Sequence, residues 1–272
     1  MLNCTVLDNK GQLVNDLSKS NFKVFEDKAA QTVISLQHQD TPVSIGLIVD
    51  NSGSMRIKRA AVASAALDLV KASNPQDETF LINFSDQAYL DQDFTSDPDK
   101  LQNGFAHLSL SGGTALYDTV VTAADKMERT AHLPRKVLIV ITDGDDNASK
   151  LTLDNAIHRV QDMQGPIIYC IGLLFDGKSR SSKRDLQALS SETGGIAFYP
   201  GSLKDIDSVA AEVARDIRNQ YTIAYRSPRT SVSGYHAVKV EAHAPGHSKL
   251  TVRTRTGYSS KQSLSSNSTS VR

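Results

Sequence analysis

The chain has 272 residues, 39% hydrophobic and 22% charged, a length and composition that fit one large globular domain or one large and one small domain. Lysine plus arginine and aspartate plus glutamate number 30 each, so the basic surplus of nucleic-acid-binding proteins is missing and nucleic acid is not an expected partner. Cys4 and Cys170 are too few and too far apart for a disulfide framework and are expected to be small buried hydrophobes.

The N-terminal flank begins with a strand-like pattern almost at Met1. Residues 1–6 (MLNCTV) lack the charged region and the apolar stretch of about 7 to 15 residues that define a signal peptide. Three short strands are predicted before residue 41, at 4–7, 21–26 and 32–36, separated by polar turns. No apolar run anywhere in the sequence reaches the roughly 18 residues of a transmembrane helix, so we expect no membrane insertion.

From residue 43 to about residue 220, short apolar β-branched runs alternate with helical patterns, which is typical of βαβ units around a parallel sheet buried on both faces. We predict a doubly wound, mostly parallel six-stranded sheet with one antiparallel edge strand and helices on both faces. The predicted strands are 43–49, 79–84, 87–94 (the edge strand), 136–141, 166–173 and 195–199. The predicted helices, with apolar residues at three and four spacing, are 55–72, 98–108, 115–130, 152–163, 183–193 and 203–219.

The C-terminal flank contains three more short strand-like segments, at 221–225, 235–242 and 249–254. Neither flank alone has enough strands to bury a sheet face, whereas the two ends of a doubly wound domain often lie close together. We therefore expect one small all-β domain, formed by residues 1–40 and 221–258, into which the α/β domain of residues 41–220 is inserted. Residues 259–272 are rich in Ser, Asn and Thr and are expected to be disordered.

Three loops of the predicted α/β domain are rich in carboxylate and hydroxyl side chains, and each follows a strand or precedes a helix. In an open parallel sheet, the loops at the carboxyl ends of the strands converge where the strand order reverses, and ligands bind there. Residues 50–54 (DNSGS) follow the first strand of the α/β region, residues 143–146 (DGDD) follow a later strand, and residues 112–114 (GGT) precede a helix. The candidate ligands are Asp50, Ser52, Ser54, Thr114 and Asp143.

Carboxylate and hydroxyl oxygens are the ligands of a hard cation. Magnesium takes six oxygens at about 2.0 to 2.1 Å and keeps several waters, manganese is a near substitute, and calcium needs more ligands than this set offers. The hydroxyls are neutral, and if one or both carboxylates act through water, a bound metal keeps positive charge and would accept a carboxylate from outside. The sequence therefore predicts one Mg²⁺ or Mn²⁺ and a partner protein that supplies a Glu or Asp side chain.

Each loop taken alone has a simpler explanation. Ser52 or Ser54 would be explained as a cap of the helix that starts near residue 55, Thr114 as a cap of the helix that starts at residue 115, and residues 143–145 as a turn. The joint occurrence of all three loops on an independently inferred α/β pattern favours the metal site, and a capping side chain can also be a ligand. The nearby acidic residues 145–146 and the basic segment 178–184 are interpreted as solvated surface.

The pattern Asp-x-Ser-x-Ser at 50–54, the Thr after paired glycines at 114 and Thr-Asp-Gly at 142–144 resemble the metal-ion-dependent adhesion site of von Willebrand factor type A domains. The resemblance covers roughly residues 41–220. It implies a doubly wound fold, one Mg²⁺ or Mn²⁺ held by the five candidate ligands, and a Glu or Asp from a partner that completes the coordination. The flanks resemble bacterial von Willebrand factor A-related proteins typical of acidobacteria, which implies an extracytoplasmic location, although the chain as given shows no signal peptide.

An enzyme is the main competing class, because Mg²⁺ beside aspartates also serves phosphoryl transfer. A phosphatase of the haloacid-dehalogenase type would need an aspartate at position 52, where the chain has Ser52, and no phosphate-cradling glycine-rich motif follows any predicted strand. The seven histidines are scattered, and no Ser, His and Asp set is expected to form a triad. We therefore expect a non-enzymatic binding module; a Mg²⁺-dependent phosphoryl-transfer enzyme and a purely structural metal-stabilised module stay as alternatives.

Overall fold

The computed structural model describes residues 1–106, 112–162, 165–175, 180–227 and 233–260. The strands in these ranges are β1 (Leu2–Leu7), β2 (Phe22–Glu26), β3 (Ala29–Gln31), β4 (Val33–Gln37), β5 (Val43–Asp50), β6 (Glu78–Phe84), β7 (Ala88–Thr95), β8 (Arg135–Thr142), β9 (Ile167–Gly172), β10 (Ala197–Phe198), β11 (Tyr221–Tyr225), β12 (Gly234–Ala242), β13 (Thr251–Arg253) and β14 (Gly257–Ser260). The helices are α1 (Arg59–Lys71), α2 (Pro98–Ala106), α3 (Leu116–Thr130), α4 (Leu153–Asp162), α5 (Arg180–Ser191) and α6 (Ile206–Arg218).

The central sheet has six strands in the order β10-β9-β8-β5-β6-β7. Every neighbouring pair is parallel except β6 and β7, which are antiparallel. This arrangement confirms the predicted mostly parallel α/β sheet with one antiparallel edge strand. All residues of β5 are buried, as expected for a strand with neighbours on both sides and helices on both faces.

Two hydrophobic cores lie on the two faces of this sheet, because successive strand residues point to opposite faces. Ile45, Leu47 and Val49 of β5 pack with apolar residues of α1, α2 and α6. Ile48 of the same strand packs on the other face, with apolar residues of α3, α4 and α5. The apolar residues that recur every three or four positions, from which the helices were predicted, are therefore the residues that cover each face of the sheet.

The strand order reverses next to β5. From β5 the chain continues through β6 and β7 on one side, and then crosses to the other side for β8, β9 and β10. Because β5 and β8 are parallel neighbours, their carboxyl ends, at Asp50 and Thr142, border the same crevice. The fold thus directs the loops that follow these two strands toward one place.

Some predicted boundaries differ from the structure. Helix α1 starts later than predicted, because Gly53–Ile57 form a 3-10 turn that leads from the loop into the helix. Helix α6 also starts after a 3-10 turn, Leu203–Asp205. Strand β10 has two residues instead of the predicted five, pairing with β9 at the edge of the sheet. The predicted helix ends at 107–108 and 163 lie outside the described residues.

Strands from the two flanks pair with each other in two further sheets of four strands, ordered β13-β1-β11-β4 and β14-β12-β2-β3. A third hydrophobic core takes residues from both sheets, including Cys4 and Ile223 of the first and Val24 and Val240 of the second. The predicted domain boundaries at 40 and 220 stay a prediction. The residues of the predicted disordered tail from 261 onward lie outside the described part of the chain.

Two of the flank strands, β3 and β14, were not predicted from the sequence. Strand β3 pairs with β2 across a two-residue turn formed by Asp27 and Lys28, whose φ angles are 49° and 69°. Both residues adopt the left-handed backbone conformation that tight hairpins require. No helix in the described part of the chain is long and apolar enough to cross a membrane.

The flank sheets and the α/β sheet meet at a buried polar cluster around Asp216 of α6. Tyr169 of β9 donates its hydroxyl hydrogen to Asp216 Oδ2 at 2.6 Å, and Thr5 of β1 donates to the same oxygen at 3.3 Å. Arg253 of β13 forms an ion pair with Asp216 Oδ1. Burial, and then the neighbouring Asp216 charge, raise the pKa of the Tyr169 hydroxyl well above its usual value, so it acts as a neutral donor.

Both cysteines are free and buried, as predicted. Cys4 lies in β1 and Cys170 in β9, each with its side chain in a hydrophobic core. Burial raises the pKa of the Cys4 thiol to about 12, which keeps it protonated at neutral pH. Both thiols are therefore shielded from solvent.

Candidate metal centre

Four of the five predicted ligands form a hydrogen-bonded row across the crevice. The backbone N–H of Ser52 donates to Asp50 Oδ1 at 2.8 Å, and the hydroxyl oxygens of Ser52 and Ser54 lie 3.1 Å apart. The Ser54 hydroxyl then donates to Asp143 Oδ1 at 2.7 Å. The row joins the loop after β5 to the loop after β8, so side chains 89 residues apart in sequence become neighbours.

The hydroxyl groups of this row do not serve as helix caps. Ser52 precedes the 3-10 turn Gly53–Ile57, and its side chain makes no capping hydrogen bond. The N-cap residue of α3 is Ala115, not Thr114. The simpler explanation by capping, which the sequence left open, therefore does not account for these hydroxyl groups.

Thr114 is held next to the row through its backbone. Its N–H donates to Asn147 Oδ1 at 2.8 Å, and its carbonyl accepts the N–H of Asn147 at 3.0 Å. A Cβ atom built on Gly144 would lie 3.7 Å from Thr114 Oγ1, so the hydroxyl packs against the loop that follows Asp143. Among the described residues, no hydrogen bond joins the Thr114 hydroxyl to the other four candidate ligands.

The paired glycines before Thr114 are required by the backbone and by Asp86. Gly112 has a φ of +94°, and a Cβ atom on it would overlap the Asp86 carboxylate. The N–H of Gly113 donates to Asp86 Oδ1 at 2.5 Å. The glycines were predicted to permit a close approach of this loop, but Asp86, the side chain that anchors the loop, was not among the predicted residues.

Asp50 is a buried carboxylate, with 2% of its surface exposed. Thr142, which sequence reasoning did not select, donates its hydroxyl hydrogen to Asp50 Oδ2 at 2.5 Å. Burial raises the pKa of the Asp50 carboxyl, hydrogen bonds from Thr142 and Ser52 oppose that rise, and the negative charge of Asp143 adds to it. A nearby cation would stabilise the ionised form of Asp50.

Lys58, also missed by the sequence reasoning, forms an ion pair with Asp143 through Nζ and Oδ2. The Asp143 side chain is 1% exposed and that of Lys58 is 20% exposed. Lys58 Nζ lies 5.5 Å from the centre of the Phe175 ring, within the range of a cation–π contact. Both oxygens of Asp143 are thus engaged, Oδ1 by Ser54 and Oδ2 by Lys58.

The interpretation of residues 145–146 as solvated turn residues is wrong for Asp146 and incomplete for Asp145. Asp146 accepts the backbone N–H of Tyr117 at 3.0 Å and the Ser149 hydroxyl at 2.6 Å. Asp145 accepts the Ser181 hydroxyl at 3.1 Å and so contacts the start of α5. The physical reason for Asp146 is that the first N–H groups of a helix lack partners within it, and the carboxylate satisfies one of them at the start of α3.

The flank sheets contain a Ser, His and Asp row that the sequence analysis did not expect. His236 Nδ1 lies 2.9 Å from Asp27 Oδ2, and His236 Nε2 lies 3.1 Å from Ser260 Oγ. His236 as a whole is 3% exposed, so the row lies in the interior of the flank sheets. Asp27 also accepts the backbone N–H of Ala237 at 3.0 Å. The row therefore ties the β2–β3 turn to β12 and β14.

The donor set of the crevice suits a hard cation. Within the described residues, no group of three or more His, Cys, Asp or Glu side chains is arranged to hold a metal ion. A cation at this edge would use Asp50 and Asp143 together with hydroxyl and water oxygens, which is the chemistry that Mg²⁺ and Mn²⁺ accept. The residues present fit such a metal, with the Lys58 ammonium as an additional positive charge beside it.

Thr142→Val should lower the free energy of unfolding in EDTA by about 1 to 3 kcal/mol, because the buried Asp50 oxygen loses its hydroxyl donor. Thr119→Val is the matched control: its hydroxyl is buried too, but it donates to the Ala115 carbonyl, which also accepts the backbone N–H of Thr119. The control should lose at most about 1 kcal/mol, because the Ala115 carbonyl keeps its backbone donor. Urea unfolding measures both; equal losses would contradict the role given to Thr142.

The family model for the von Willebrand factor type A domain matches residues 45–145. This range contains all five candidate ligands as well as Lys58 and Thr142. No curated protein sequence matches this chain.

Solved structures are similar in fold, at identities that show the fold alone. The von Willebrand factor type A structure from Catenulispora acidiphila is 13% identical with a TM-score of 0.58, and the match covers 96% of this chain and 74% of that chain. The vWF domain of the type V pili tip protein Mfa5 from Porphyromonas gingivalis is 14% identical with a TM-score of 0.54, covering 65% and 95%. Proximal thread matrix protein 1 from the mussel byssus is 14% identical with a TM-score of 0.56; the match covers 66% of this chain and only 49% of that chain. The likeness of the flanks to acidobacterial proteins stays a prediction.

Proposed function

We propose that this chain, whose residues 45–145 match the family model for the von Willebrand factor type A domain, is a metal-dependent protein-binding module of the adhesion type. In this proposal one Mg²⁺ or Mn²⁺ is held in the crevice, and a Glu or Asp side chain of a partner protein fills an open position on it. The observation that carries the proposal is the hydrogen-bonded row from Asp50 to Asp143 at the point where the strand order reverses. The proposed ligands are Asp50, Ser52, Ser54, Thr114 and Asp143.

The residues of the crevice have separate tasks in this proposal. Asp50, oriented by Thr142 and the Ser52 N–H, and Asp143, oriented by Ser54, supply the negative charge. The hydroxyl groups supply neutral oxygens, so they fill coordination positions without adding negative charge, and a partner carboxylate is not repelled by them. When bound, the metal would supply the electrostatic attraction that fixes a partner carboxylate.

The surroundings of the crevice favour a protein partner over a small anion. Ile57, three residues after Ser54 in the same 3-10 turn, has 85% of its surface exposed. An exposed large apolar side chain beside a charged site is typical of an interface that combines a polar contact with apolar packing. The similar structures include a pilus tip protein and a byssal thread matrix protein, which supports an adhesive role rather than catalysis.

A peptide with a single Glu between apolar residues should bind the native chain in the presence of Mn²⁺. When EDTA replaces the metal, the peptide should lose at least about tenfold in affinity, because its carboxylate then has no cation to bind. The matched peptide with Gln in place of Glu is the control and should bind at least about tenfold more weakly in Mn²⁺. Fluorescence anisotropy of labelled peptides measures both. Metal binding without any preference for the Glu peptide would instead indicate a purely structural metal, and equal binding in EDTA would contradict metal dependence.

A further inference from the structure

A lysine of the chain itself forms an ion pair with one carboxylate of the proposed site. Lys58 contacts Asp143 Oδ2 through Nζ, while the other oxygen of the same carboxylate accepts the Ser54 hydroxyl. Lys58 is the N-cap residue of α1, so its Cα position is fixed by the start of a helix. Its ammonium group is further confined by the Phe175 ring. The lysine is therefore a built-in part of the crevice.

The position of Lys58 is unfavourable for a lysine unless Asp143 compensates. A helix N-terminus carries partial positive charge, and cations are destabilising there. Here Arg56, Lys58 and Arg59 all lie at the start of α1, and the first turn contains no acidic residue. Arg59 donates to the Phe105 carbonyl at 2.6 Å, at the end of α2. Lys58 is the basic residue of this group that pairs with a candidate metal ligand.

We propose that Lys58 acts as a fixed positive charge in the site. It neutralises Asp143 when no metal is bound, and it thereby weakens the binding of a divalent cation. Once that cation is bound, Lys58 strengthens the capture of a partner carboxylate. The inference rests on the proposed function. Lys58 is a positioning and charge-tuning residue, and it need not touch the metal.

The charges in the crevice explain why Lys58 weakens the binding of the metal but strengthens the binding of a partner carboxylate. Asp50 and Asp143 each contribute one negative charge, and Lys58 contributes one positive charge. A divalent cation entering the crevice is attracted by the carboxylates and repelled by the ammonium group. With the metal bound, the same ammonium group leaves the centre positively charged overall and so adds to the attraction for an external carboxylate. Without Lys58 the formal charges of the two carboxylates and a divalent ion would sum to zero, so the ammonium group is the source of the net positive charge.

Lys58→Met, which keeps an unbranched side chain without the charge, tests the inference in the full chain, with Lys58→Arg as the matched control that keeps the charge. We expect isothermal titration to give about tenfold tighter Mn²⁺ binding for Lys58→Met, because a unit charge a few ångströms away is worth about that factor in a partly solvated site. Lys58→Arg should stay within about threefold of the native chain. At saturating Mn²⁺, Lys58→Met should bind the Glu peptide about tenfold more weakly than the native chain.

A melting curve in EDTA checks that each variant folds. Lys58→Met should melt cooperatively but at a lower temperature than the native chain, because Asp143 loses its counter-ion, and its rise in melting temperature on adding Mn²⁺ should be larger. Unchanged or weaker Mn²⁺ binding by a folded Lys58→Met, with a native chain that does bind Mn²⁺, overturns the inference and leaves the proposed function standing. Mn²⁺ binding by Lys58→Met alone supports the inference and overturns the proposed function for the native chain. If neither protein binds Mn²⁺, both fail.

Discussion

Mn²⁺ or Mg²⁺ at about a hundred times its dissociation constant should stabilise the native chain by about 2.7 kcal/mol, and Asp50→Asn should abolish this gain. For a domain of this size the gain corresponds to a rise in melting temperature of about 5 to 10 °C. The asparagine oxygen can still accept the Ser52 N–H, but the charge that attracts the cation is lost from a residue that is almost fully buried. Differential scanning calorimetry of both proteins, with metal and with EDTA, measures the difference.

Asp145→Asn is the control for this experiment. Asp145 lies two residues after Asp143 in the same loop, but its carboxylate faces the hydroxyl groups of Ser181 and Ser182 at the start of α5 and not the row of candidate ligands. Its replacement should leave at least about two thirds of the metal-induced gain, because an exposed charge is largely screened. A native chain that does not respond to metal, or equal responses of native and Asp50→Asn, would refute the metal site.

The sequence was sufficient to predict the α/β sheet because its parallel strands are buried on both faces. A strand such as β5 must then be apolar along nearly its whole length, and the helices that cover it must repeat their apolar residues every three or four positions. The same reasoning located Asp50 and Asp143, since each lies at or just after the carboxyl end of such a strand. The candidate ligands were therefore predicted mainly from their position after the strands, and the oxygen-bearing residue types then selected among the residues of those loops.

The contacts that the sequence did not reveal depend on side-chain direction or on very long sequence separations. The Lys58–Asp143 pair requires the 3-10 turn Gly53–Ile57, which turns the start of α1 toward the loop after β8. A continuous helix from residue 55, as predicted, would have directed position 58 differently. Thr142 was recognised as part of a motif, yet its bond to Asp50 follows from the register of β5 against β8.

The flank strands were harder to predict because they are short. Strand β3 has three residues and β14 has four, too few for an alternating pattern to stand out. The turn between β2 and β3 uses Asp27 and Lys28 rather than the Asn-Gly or Asp-Gly pair that signals a tight hairpin. Short strands of this kind are fixed by pairing with distant segments, such as β12 with β2, and a local pattern does not contain that information.

Asp216 joins segments from opposite ends of the chain, and its replacement should have the largest effect on stability. Tyr169 of the central sheet, Thr5 of the first strand and Arg253 near the C-terminus all donate to its carboxylate. Among the described residues, Nε and Nη1 of Arg253 are buried without a hydrogen-bond partner. The arginine therefore depends on Asp216 as its counter-ion, and a buried charge without a counter-ion is strongly destabilising.

Asp216→Ala should lower the free energy of unfolding by about 3 to 5 kcal/mol, because it leaves the Arg253 charge without its counter-ion and the Tyr169 hydroxyl hydrogen without its acceptor. Asp207→Ala, in the exposed first turn of the same helix, is the control and should cost at most about 1 kcal/mol. The double variant Asp216→Leu with Arg253→Met removes both charges and should recover a large part of the loss, since apolar replacements of a buried ion pair are often tolerated. Guanidinium unfolding compares the four proteins. A loss below about 1 kcal/mol for Asp216→Ala, or a double variant less stable than the single one, would show that the pair does not hold the flank sheets to the α/β sheet.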